Sequence, residues 1–154
     1  MQLSNLLVRD AVLPSLKATS KKQALQELSQ AAANLTGLPA RDIFEVLLQR
    51  ERLGSTGLGQ GIAIPHGKLN KLTSLHGVFA RLSQPIEFDA VDGQPVDLVF
   101  LLLAPESAGA DHLKALARIS RLFRDAEIVS KLRGSDNGAA LYSILTEPAA
   151  SHAA

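Results

Sequence analysis

The chain predicts an α/β (α+β) protein, a three-layer α/β/α sandwich with a mixed central sheet flanked by helices. Three observations carry that expectation. Apolar residues recur at helical spacing near both ends, while the middle alternates short apolar runs with turn residues. The run over residues 98–104 is apolar throughout, as expected for a central strand covered on both faces. With 154 residues the chain fits one domain, expected over residues 1–147, that buries roughly 70% of its unfolded surface without staples.

Taken in order, Ser20 and Gln23 form a capping-box pattern. Ala24, Leu25, Leu28, Ala31, Ala32 and Leu35 then continue a helix that ends near Gly37. Pro39 suits the first turn of a second helix, along which Ile43, Val46, Leu47 and Arg50 fall on one face. Strands are expected at 62–64, 77–82, 86–88 and 96–103, with turns at Gln84-Pro85 and Asp92-Gly93. Helical patterns return at 110–123, 126–134 and 137–146, and residues 148–154 read as a flexible, fraying tail. There is no internal repeat.

Composition excludes several classes of function. Sixteen basic and fifteen acidic residues leave a formal charge of +1, too balanced for a protein that lives by phosphate-backbone contacts. Only 4% of residues are aromatic, too few for a base-stacking platform, so no nucleic-acid partner is expected. Without cysteine there are no disulfides, thiolate metal sites or cysteine nucleophiles. No basic segment precedes an apolar core at the N-terminus, and no apolar run approaches the roughly 20 residues that span a bilayer. The expectation is a cytoplasmic protein without membrane insertion.

The stretch 50–68, RERLGSTGLGQGIAIPHGK, concentrates the chemistry. Its glycines invite a nucleotide reading, which fails. Gly57, Gly59 and Gly61 are spaced G-x-G-x-G, and the order is helix, loop, strand, the reverse of a dinucleotide fingerprint. Gly61 to Lys68 misses the P-loop spacing by one residue and has Leu69 where Ser or Thr would hold magnesium. Ser55 and Thr56 lack a nucleophile elbow and an orienting acid. His66, His76, His112 and His152 show no zinc-binding spacing, so neither metal nor cofactor is expected.

His66 is expected at the exposed end of the 62–64 strand, with Pro65 stiffening the chain before it and Gly67 turning it afterwards. A neutral imidazole is a competent nucleophile. The glycines upstream would leave backbone N–H groups open to an anion. Arg50, at the end of its helix, has two readings: an arginine snorkelling from an apolar face, or a fork for phosphoryl oxygens. His112, near the start of the 110–123 helix, either caps the core or, at a helix N-terminus, faces an anion. Lys68 is at least as readily a solvated lysine as an electrostatic helper. Lys114, Arg118 and Arg121 share a basic face that is either solvated or suited to an acidic partner.

The segment GSTGLGQGIAIPHGK over 54–68 closely resembles the phosphorylation-site signature of fructose/mannitol-type enzyme IIA proteins of the bacterial phosphotransferase system. PIEFDAVDGQPVDL over 85–98 resembles most the nitrogen-regulatory branch of that family. The resemblance spans nearly the whole chain and implies the same α/β/α architecture. It implies that His66 is the phosphoryl acceptor, modified on Nε2, and that His112 and Arg50 orient and stabilise the transferring group. It further implies an HPr-like phosphocarrier of the nitrogen branch as donor. Regulated targets of the potassium-transport or sensor-kinase type would then respond to the phosphorylation state. Two rivals remain at this point: a sugar-transport IIA passing phosphate to a IIB domain, and a partner-binding module that never carries phosphate.

Overall fold

A computed structural model of the chain describes residues 2–147. Two 3-10 turns, Leu3–Asn5 and Arg9–Ala11, lead into strand β1 (Val12–Leu16). Helices α1 (Lys21–Thr36) and α2 (Ala40–Arg52) follow, then strands β2 (Gly57–Gly59), β3 (Ile62–Ala63), β4 (His66–Leu69), β5 (His76–Ile86) and β6 (Val96–Pro105). Helices α3 (Ala110–Leu122), α4 (Ala126–Arg133) and α5 (Gly138–Thr146) close the described chain. The fraying expected of residues 148–154, including His152, lies outside the described residues.

The helix signals act as read. Ser20 Oγ accepts the Gln23 N–H at 3.1 Å, and Gln23 Oε1 reaches back to the Thr19 N–H at 2.8 Å, so the capping box is offset by one residue. Gly37 ends α1 in the left-handed region, with φ 76°, and its N–H bonds Ala33 O. Pro39 stands at the N-cap of α2, one position ahead of the first turn where it was expected.

The sheet has six strands in the order β1-β5-β6-β3-β2, with β4 also paired to β6. It is mixed: β1 is parallel to β5, β5 antiparallel to β6, and β3 and β4 both parallel to β6. As expected of an uninterrupted apolar strand, β6 buries residues 98–105. Helices α1 and α2 pack together over β5 and β4, while α3 contacts β6, α5 contacts β1 and α4 leans on α5. Phe79 and Phe123 stack at 6.2 Å in the core, with Phe100 edge-on to Phe123.

One strand expectation is corrected. The turn at Gln84-Pro85 and the separate strand at 86–88 do not form, because β5 runs on to Ile86. Its pairing with β6 is regular from His76 to Arg81, shifts, and resumes at Ile86 opposite Val96. Proline lacks an N–H, and a register irregularity is where a strand tolerates it. Strands β1, β2 and β4 were not anticipated. Pro14 is compatible with β1 because β1 is an edge strand.

Candidate functional site

Strands β3 and β4 form two halves of one ribbon along β6. Ile62 and Ala63 pair with Leu98 and Val99, and His66 to Leu69 pair with Leu102 to Pro105. Between the halves the backbone leaves the ladder: Ile64 N–H bonds Thr56 O at 3.0 Å, and Pro65 O accepts the Leu102 N–H at 2.9 Å. His66 therefore opens a strand instead of ending one, and it is half-buried, not exposed. Gly67 is not a turn residue either. It lies in β4 beneath α2, where a Cβ would come within 2.4 Å of Val46 Cγ1, so its role is close approach of helix to strand.

The break frees the Ile64 carbonyl, which lies 2.8 Å from His66 Nδ1. A carbonyl can only accept, so Nδ1 carries the proton and Nε2 presents its lone pair. Arg50, on the last turn of α2, donates its Nε–H to that Nε2 at 3.2 Å and its Nη1–H to Gly54 O at 2.9 Å. His112, in the first turn of α3, sets its ring 5.7 Å from that of His66. All three expected site residues thus meet, lining an open pocket of about 500 Å³ with Leu53, Lys68 and Val46.

Burial pushes the His66 pKa below its ordinary value, and the Arg50 charge adds to this, while the Ile64 hydrogen bond and the Glu51 carboxylate oppose it. His112 is lowered as well, by burial first and then by His66 and Lys68. Both rings are accordingly neutral near pH 7. A neutral His66 with an unprotonated Nε2 is a nucleophile, and the guanidinium that bonds this nitrogen is suited to charge on an incoming group.

The glycine-rich loop differs from expectation. Gly57–Gly59 is a strand paired with β3, and N–H groups that were to face an anion are spent internally. Gly57 N–H bonds Ser55 Oγ and Gln60 N–H bonds Asp92 Oδ2. The hydroxyls are spent too: Ser55 Oγ donates to Phe88 O, and the Thr56 hydroxyl bonds Glu51. No group of three or more potential metal-ligating side chains occurs among the described residues.

Sequence reasoning missed Glu51. Its side chain is buried at the end of α2, where it accepts the Thr56 N–H at 3.0 Å and the Thr56 hydroxyl, and pairs with Lys21 Nζ at 2.9 Å. Lys21 also lies 4.8 Å over the Phe88 ring. Glu51 reads as one acid in a charged run, and its partners come from α1 and the loop beyond α2, so nothing in the local pattern marks it.

The family model described as "Phosphoenolpyruvate-dependent sugar phosphotransferase system, EIIA 2" matches residues 5–147. The chain belongs to this family. Among EIIA relatives, a nitrogen regulatory protein of Bradyrhizobium diazoefficiens is 62% identical over 153 residues, covering 99% of this chain and all of the relative. A nitrogen regulatory protein of Escherichia coli is 44% identical, covering 96% of this chain and 91% of its own. The crystal structure of nitrogen regulatory protein IIA-Ntr from Neisseria meningitidis superposes with a TM-score of 0.89 at 37% identity, over 94% of this chain and 99% of that one. The mixed sheet flanked by five helices is thus the EIIA fold, and the three proteins just named are all nitrogen regulatory proteins.

Proposed function

We propose that this EIIA protein is a cytoplasmic phosphocarrier that accepts a phosphoryl group on His66 and regulates partner proteins according to its phosphorylation state. The observation that carries the reading is the disposition of the His66 ring. Nδ1–H is committed to Ile64 O, leaving Nε2 as the sole nucleophilic nitrogen, with the Arg50 guanidinium already against it.

The donor is an HPr-like carrier bearing phosphohistidine. Nε2 attacks phosphorus in line, the new P–N bond forms as the donor's P–N bond breaks, and that bond's electron pair returns to the donor ring nitrogen. Arg50 transfers its N–H groups from Nε2 to the phosphoryl oxygens, and His112 donates to the same group. The positive charge left on the His66 ring is stabilised by the Ile64 carbonyl. No metal or nucleotide takes part. A regulatory role over targets of the potassium-transport or sensor-kinase type is favoured by the nitrogen-regulatory relatives. That no described helix is long and apolar enough to cross a membrane is compatible with such a carrier.

The test is incubation with phosphoenolpyruvate, enzyme I and the HPr-like carrier. One phosphoryl group, labile in acid and stable in base, is expected on His66 and absent from His66→Ala. Modification that persists in His66→Ala, or an acid-stable adduct on Ser55 or Thr56, overturns the assignment. Failure of any phosphate to transfer leaves the binding-module reading, and rapid onward transfer to a IIB domain supports the sugar-transport one.

A further inference from the structure

We infer that Glu51 is a positioning residue for phosphoryl transfer, holding His66 and Arg50 in register through Thr56 and the backbone of Ile64. The inference rests on the reading of His66 as the acceptor.

A continuous set of hydrogen bonds joins the buried carboxylate to the reactive ring. Glu51 Oε1 accepts the Thr56 N–H at 3.0 Å, and its other oxygen bonds the Thr56 hydroxyl. Thr56 O accepts the Ile64 N–H at 3.0 Å, and Ile64 O accepts the His66 Nδ1–H at 2.8 Å. Each link occurs where the backbone has left the ladder: Ile64 lies in the gap between β3 and β4, and its peptide groups are held by Thr56 and His66. The Ile64 carbonyl is what selects the Nδ1–H tautomer. Its direction is in turn set by a loop whose anchor is Glu51.

The same carboxylate governs Arg50 by a second route. Arg50 precedes Glu51 on the last turn of α2, and its Nη1 bonds the Gly54 carbonyl in the turn between Glu51 and Thr56. Gly54 N–H bonds Glu51 O at 3.1 Å, so that turn is closed at both ends by Glu51, by main chain at one and side chain at the other. Lys21 brings α1 into the arrangement, offsetting the cost of burying the charge. Two of the three groups that meet the phosphoryl group, His66 and Arg50, are therefore indexed to one buried acid that hydrogen-bonds to neither side chain.

The experiment compares Glu51→Gln, Thr56→Val and Thr56→Ser in the full chain. Two readouts are taken: the rate of phosphoryl acceptance from the HPr-like carrier, and the His66 tautomer from ring ¹⁵N shifts without phosphate present. Thr56→Val keeps the N–H and removes only the hydroxyl, and it should slow acceptance about tenfold, as small misplacements of reacting groups do. Thr56→Ser should restore the rate. Glu51→Gln should slow acceptance at least as much and shift the ring from pure Nδ1–H to a tautomer mixture. With Arg50→Ala added, the Glu51→Gln loss should shrink, since part of it acts through that guanidinium.

Wild-type rates in both Thr56→Val and Glu51→Gln, or rates that fall only with the folded fraction while the tautomer stays pure, would overturn the inference. If Glu51→Gln does not fold, Thr56→Val and Thr56→Ser still decide. Should the wild-type chain take no phosphate on His66, the acceptor reading fails by itself, while the tautomer measurement still reports whether Glu51 orders the ring.

Discussion

At the scale of single residues, His112 shows how placement fixes chemistry. The residue is 7% exposed, and its Nδ1 is buried with no hydrogen-bond partner among the described residues. Burying an unpaired N–H costs about 1–3 kcal/mol, and an unpaired acceptor is the better tolerated of the two. The proton is therefore best placed on Nε2, and under the proposed reading His112 would act as a neutral donor. Protonation would put an unpaired N–H in the core, beside Lys68 and at the positive end of α3. His112→Gln, whose amide nitrogen can stand where Nε2 stood, should then accept phosphate within a few-fold of wild type, whereas His112→Ala should be slower by about tenfold or more, the worth of one lost hydrogen bond to a charged group. Single-turnover transfer from the phosphorylated donor measures both. Equal losses in the two variants would mean that the imidazolium charge, not the donor, is what His112 supplies.

At the scale of elements, the site depends on how closely α2 lies on β4. Gly67 leaves room for Val46, and Gly67→Ala should push the helix outward, destabilising the fold by about 1–3 kcal/mol through overpacking. Because Arg50 rides on α2, phosphoryl acceptance should fall as well. Adding Val46→Ala should recover much of both, as urea unfolding and transfer assays would show; a Gly67→Ala protein as stable and active as wild type would mean that α2 adjusts freely. The helices were legible because their signals are local: Ser20 and Gly37 bound α1, and periodicity carries α3, α4 and α5. The long strand β6 was legible from its apolar run. Strand β3 was legible from its short apolar run, whereas β2 and β4, three and four residues long and rich in glycine, read as loop because only their partners in β3 and β6 make them strands. Residue type and spacing left Arg50 and His112 with two readings each, and only the resemblance around His66 singled the three out; Glu51 and Thr56 carried no mark at all, because their contacts form only when α1, the loop and the β3–β4 gap are brought together.

At the scale of the molecule, the site leaves a signature in stability against pH. His66, His76 and His112 all have pKa values lowered from the ordinary 6.5, with burial the leading cause in each. In the unfolded chain these imidazoles regain ordinary values, so between 6.5 and the folded pKa values the unfolded state binds more protons. Stability therefore rises with pH through that window, is fully present above 6.5, and is lost as pH falls below it, at no more than about 1.4 kcal/mol per pH unit for each proton. Asp92 acts in a separate window: hydrogen bonds from the Gln60 and Gln94 N–H groups lower its carboxyl below 3.8, so its contribution disappears only in stronger acid. Urea unfolding should thus give a lower free energy at pH 5.5 than at pH 7.5. His76→Gln, which lies at the start of β5 outside the pocket, should flatten part of that slope without changing phosphoryl acceptance at pH 7.5. His112→Gln should flatten a further part, because it removes a ring whose protonation the folded state disfavours. A stability profile flat from pH 7.5 to 5.5, or one left unchanged by both substitutions, would show that the folded rings titrate as they do in water, and with that the neutral state argued for His66 and His112 would lose its thermodynamic support.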